Sequence, residues 1–134
     1  MGAWDVGVFD DDAARDVFDS LLVGNAYEQI AEWMRVMEPE EHYEYASCHC
    51  MLVSGAFIDA VLNGTDHSKD LGDAYGRVID QLVGKDLDAL HPVLLRRLDH
   101  VLNGASELKE LWSENEELYP VWRANVQGLI DRLK

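Results

Sequence analysis

An all-α fold is what this sequence predicts: one domain over residues 1–134, built as a bundle of about six to seven helices with a short extended N-terminal arm. Three observations predict it. Apolar residues return every three to four positions along most of the chain, the period of one helix face. A chain of 134 residues, 48% hydrophobic and 28% charged, suits one globular core and is too apolar for disorder. Nothing reads as a sheet-forming strand, and only Val6-Gly7-Val8-Phe9 has the look of a short extended arm.

Asp12 is placed to cap a first helix carrying Ala14, Val17, Phe18, Leu21 and Leu22 on one stripe, ended by Gly24-Asn25. A second runs to about Met37, with Ala26, Ile30, Trp33, Met34 and Met37 inward, and Pro39 stops it. These two read as a hairpin. The third, from about Glu40 to Leu62, opens with Glu40, Glu41 and Glu44, which suit the positive end of a helix dipole. From Cys48 to Ile58 its residues are apolar or small nearly all round, as expected of a central helix. Ser54, Gly55 and Ala56 let a neighbour approach closely, and Asn63-Gly64 is a left-handed stop. A fourth helix carries Leu71, Ala74, Tyr75, Val78, Ile79, Leu82 and Val83 and closes at Gly84. Pro92 belongs in the first turn of a fifth, with Leu94, Leu98, Val101 and Leu102 inward before Asn103-Gly104. Ser106 caps a sixth with Leu108, Leu111 and Trp112, and Pro120 opens a seventh with Trp122, Val126, Leu129, Ile130 and Leu133. Val-Leu-Asn-Gly occurs at 61–64 and again at 101–104, each after an upstream acid, Asp59 and Asp99, and reads as two helices ending alike.

Charge narrows the partners. The net charge is −15, which disfavours nucleic-acid backbones and anionic membranes. Residues 1–67 hold 14 acids against Arg15 and Arg35 alone, a net −12, so most of the excess is N-terminal. A basic protein is the partner such a field attracts, and solubility alone is the plainer reading of it. No uninterrupted apolar run approaches the ~20 residues of a membrane span, and Met1-Gly2-Ala3-Trp4-Asp5 lacks the pattern of a leader. A cytoplasmic location is the expectation, in keeping with Cys48 and Cys50 as reduced thiols.

Few residue clusters carry chemistry. Cys48-His49-Cys50 holds metal-ligand types, but helical residues turn by about 100° each, so the two thiols point to opposite sides and no metal is expected there. His42 and His49 lie seven residues apart, about 10 Å along a helix, too far to share one ion. Asp88-Ala89-Leu90-His91 is a lone near match to the Glu-x-x-His of di-iron bundles. Asp10, Asp11, Asp12, Asp16 and Asp19 form the densest carboxylate cluster, with the last three on one face. They are the candidate binding residues, though capping and a solvated face explain them as well. Nucleophile elbows, phosphate loops and zincin helices are all missing from the sequence. The expectation is therefore no cofactor and no catalytic residue, with enzyme activity left open but disfavoured.

Two stretches carry a family resemblance. The opening Met1-Gly2-Ala3-Trp4-Asp5-Val6-Gly7-Val8-Phe9-Asp10-Asp11-Asp12-Ala13 and the later Ser106-Glu107-Leu108-Lys109-Glu110-Leu111-Trp112 resemble the bacterial domain of unknown function 4259 family. Asp5 stands where a Gly is common in that pattern. The resemblance implies a bacterial, cytoplasmic, helical protein and brings no activity with it. Gly2 and Gly7 let the arm bend while Trp4 and Phe9 plug it against the helices.

A non-enzymatic interaction module binding a basic partner, of the immunity or inhibitor type, is the function these readings favour. The alternative is a small-molecule or metal site in a cleft, using His42, Glu44 and His49 with acids from another helix.

Overall fold

The computed structural model describes residues 7–37, 42–68 and 71–134. Among them are seven helices: α1 (Asp12–Val23), α2 (Ala26–Val36), α3 (Tyr45–Asn63), α4 (Asp73–Leu82), α5 (His91–Asn103), α6 (Glu107–Trp112) and α7 (Tyr119–Leu133). No strand occurs among the described residues; Tyr43 and Ser106 form one isolated parallel bridge.

α3 is the axis of the molecule, and all six other helices pack on it. Its residues from Cys48 to Asp59 are all buried, which explains why its sequence is apolar on every side. Length and composition alone would let this helix cross a membrane, and here most of it is covered by its neighbours. Gly55 is where α5 and α7 close in: a Cβ there would lie 3.1 Å from Leu129 Cδ2 and 3.2 Å from Leu98 Cδ1. The close-approach role expected of the small residues therefore falls on this glycine. α1 packs chiefly on α3, and α2 leans more on α4 than on α1, so the hairpin of the first two helices is splayed.

The caps refine the expected boundaries. Asp11, rather than Asp12, caps α1, its Oδ1 accepting the Ala13 N–H at 2.7 Å. Asn25 caps α2 through the Glu28 N–H, and Ser106 caps α6 through the Lys109 N–H. α3 starts at Tyr45, later than the acids suggested; Glu40 and Glu41, like Pro39, lie outside the described residues. The reason is upstream. Tyr43 gives its N–H to Ala105 O and takes the Glu107 N–H on its own carbonyl, both at 2.9 Å, so residue 43 is held in a bridge before the helix can begin.

Gly64 ends α3 with φ +73°, the expected left-handed stop. Gly104 ends α5 differently, with φ −96°, and is glycine for want of room: a Cβ would meet His100 Nδ1 at 2.5 Å. The shared tetrapeptide still has one common physical part. Asn63 Nδ2 donates to Asp59 Oδ1 at 2.8 Å and Asn103 Nδ2 to Asp99 Oδ1 at 2.9 Å, one helical turn back in each case.

Val6 and Trp4 lie outside the described residues; from Gly7 the arm turns, with the Asp10 N–H on Gly7 O at 3.1 Å. Phe9 is the plug that was expected. It sits edge-on to Phe18 at 6.0 Å and to Phe57 at 5.8 Å, joining the turn to α1 and α3. Trp33, Trp112 and Trp122 are buried core side chains.

Candidate functional site

Two histidine–aspartate pairs are built on α3, ten residues or about 15 Å of helix apart. The first joins α3 to the start of α1. His49, 3% exposed, points its Nε2 at Asp11 Oδ2 across 3.4 Å, a close contact without hydrogen-bond geometry. The Tyr45 hydroxyl, one turn before His49, donates to the same carboxylate oxygen. Burial pushes the Asp11 carboxyl up, but the His49 ring, the Tyr45 hydroxyl and the Ala13 N–H outweigh it and hold it below the usual carboxylate range. Neither ring nitrogen of His49 has a hydrogen-bond partner among the described residues.

The second pair closes the other end of α3. Asp59, wholly buried, accepts from Asn63 Nδ2 at 2.8 Å, and from His67 Nε2 and Arg132 Nε at 2.9 Å each. Burial raises this carboxyl too, and Asn63, His67 and Arg132 together bring it below its ordinary value. The cluster ties α3, the loop at 64–68 and the end of α7 to one carboxylate.

A cavity adjoins each pair. The one beside His49 has about 20 Å³ and is walled by Asp11 with Leu52, Leu108, Trp112, Trp122 and Val126. The one beside His67 has about 160 Å³ and is bordered by Phe9, Asp66 and Arg132. Gly7, Val8, Asn125 and Leu129 stand between them, lining both. A wider groove of about 640 Å³ runs between α5 and α7, with Arg96, Asp99, His100 and Lys134 on its rim. Ser, Thr, Cys and Lys are absent from the described walls of the two inner cavities.

The expected candidates separate. Asp10 and Asp11 are buried, Asp10 taking the Gly7 N–H at 3.1 Å and Asp11 serving as cap and as partner to His49. Asp12, Asp16 and Asp19 remain on the exposed face of α1. His42, Glu44 and His49 are not brought together: His42 lies at the surface with Nε2 3.2 Å from Glu110 Oε1, Glu44 stands exposed at the cap of α3, and His49 faces Asp11. The Cys48 and Cys50 thiols are both buried, Cys48 Sγ lying 3.3 Å from Ser106 Oγ. Burial raises Cys48, and burial with the neighbouring Cys48 pushes Cys50 up to about 12. No group of three His, Cys, Asp or Glu side chains suited to a metal ion occurs among the described residues.

Asp59, His67 and Arg132 were not foreseen. The one sequence signal was the acid one turn before each Asn-Gly, and nothing in the periodicity marks His67 or Arg132 as its partners.

The model of the family described as Domain of unknown function (DUF4259) matches residues 2–125. No curated protein and no solved structure matches the chain.

Proposed function

We propose that this chain, which belongs to the DUF4259 family, is a non-enzymatic interaction module of the bacterial cytoplasm whose acidic α1–α2 surface binds a basic protein. The observation that carries the reading is the state of the charges on that surface. Asp12, Asp16 and Asp19 of α1 and Glu28 and Glu32 of α2 are all exposed. A groove of about 320 Å³ runs from Ser20 and Val23 on α1 to Glu28 and Glu32 on α2, the two acids that line it. Two cations lie nearby, Arg15, which gives its Nε–H to Phe9 O at 2.8 Å, and Arg35, which pairs with Glu32, and the acids of the two helices outnumber them. The field of that face is left to act on a partner, speeding encounter and weakening as salt screens it.

The test is retention of a basic protein from the native cell, at low and at high salt, by the wild-type chain and by the combined variant Asp12→Asn, Asp16→Asn, Asp19→Asn. The expected outcome is a basic partner held at low salt, released as salt rises, and lost in the triple variant. Recovery of no basic protein at low salt, or equal retention by the variant, would overturn the proposal.

A further inference from the structure

We infer that the cavity beside His49 is a binding site for one small neutral molecule of the size of a water, able both to donate and to accept, which joins the His49 ring to the Asp11 carboxylate. This site is independent of the acidic surface proposed above. Its warrant is a mismatch between two buried polar groups. Both ring nitrogens of His49, at least one of which carries an N–H, lack a hydrogen-bond partner among the described residues although the side chain is 3% exposed. Buried polar atoms in native proteins are almost always satisfied, by protein or by ordered solvent.

Geometry says what fits. The cavity of about 20 Å³ is larger than the roughly 10–15 Å³ that one water needs. His49 Nε2 and Asp11 Oδ2 face each other at 3.4 Å without hydrogen-bond geometry, so a third group would touch the pair from the side of the cavity. Asp11 already accepts from Ala13 N–H and the Tyr45 hydroxyl, and a carboxylate has lone pairs left for one more donor. An anion is refused by that carboxylate. A metal ion would find His49 and Asp11 but no third ligand of the His, Cys, Asp or Glu kind among the described residues. Leu52, Leu108, Trp112 and Trp122 make most of the remaining wall apolar, with Asn125 the one further polar side chain lining it among the described residues. It would complete a hydrogen-bonded chain from Tyr45 through Asp11 to His49 and so fasten the turn at residues 7–11 to the central helix.

The test uses the full chain. An atomic-resolution crystal structure should show one solvent-sized peak within hydrogen-bond distance of a His49 nitrogen and of Asp11. In solution, the protons of His49 and Trp112 should show nuclear Overhauser contacts to a long-lived water. His49→Gln, which keeps a donor and an acceptor, should retain that contact, and His49→Phe should abolish it. A dry cavity, a direct His49–Asp11 hydrogen bond, or a contact unchanged in His49→Phe would each overturn the site. Should His49→Phe fail to fold, the wild-type crystal and solution measurements decide alone.

Discussion

Asp59 concentrates the physics of this fold in one side chain. It is a carboxylate inside the core, tolerable because three donors surround it and one of them, Arg132, carries the opposite charge. The carboxyl is held below its unfolded value of about 3.9, so its stabilising effect is present in full above that pH and fades as pH falls through the lower folded value. Asp59→Asn should therefore destabilise the protein at pH 7 by about 1–3 kcal/mol, less than a fully buried pair would lose because Arg132 is 41% exposed to screening solvent. Urea unfolding at pH 7 and in acid checks this. The two proteins should converge as the wild-type carboxyl takes up its proton, and a gap that persists in acid would contradict the account. Nothing about this residue stood out in the sequence except that Asn63 follows it by one turn. A buried acid is recognisable only once its partners, at positions 67 and 132, are known to be near.

At the scale of the helices, repetition was legible and mutual dependence was not. Apolar spacing located all seven elements, Pro92 and Pro120 fell in first turns, and Ser106 and Asn25 cap as side chains of their type do. Boundaries moved where one element is held by another. The first N–H of α3 is an example: Tyr45 N is taken by Glu107 Oε1 of α6 at 3.0 Å, while Glu44 makes no side-chain cap. One acid thus serves a helix 62 residues earlier in the chain, and no local signal reveals that. Glu107→Ala should destabilise the protein by about 1 kcal/mol, the usual loss on removing a cap, and should speed hydrogen exchange at the Tyr45 amide. Glu107→Gln, which still accepts, should leave that amide protected. Unchanged exchange in the alanine variant would show that α3 is capped by other means.

For the molecule as a whole, charge is the property that composition announced and the fold distributes. Most of the −15 is carried by the half that contains α1, α2 and α3; among the described residues of that half Asp10, Asp11 and Asp59 are buried, while Asp12, Asp16, Asp19, Glu28, Glu32, Glu44 and Asp66 are exposed. Self-repulsion of this size opposes compactness and is relieved by counterions. The melting temperature should accordingly rise between about 0.01 M and 0.15 M salt, over which the screening length falls from roughly 30 Å to 8 Å, and then level off. Thermal unfolding across that range is the measurement. A flat response would mean that the acids are too dispersed to repel one another, and a rise continuing into molar salt would mark a protein adapted to brine.

The bridge between Tyr43 and Ser106 has a temporal meaning as well as a spatial one. A growing polypeptide displays its most apolar helix, residues 45–63, long before the segment that pins the start of that helix has been synthesised. Until position 107 emerges, the central rod has an unanchored end and greasy flanks awaiting α5 and α7. Closure over so long a loop comes late in folding. A ribosome pausing between codons 63 and 107 would hold this chain at its stickiest, when a chaperone has the most to protect.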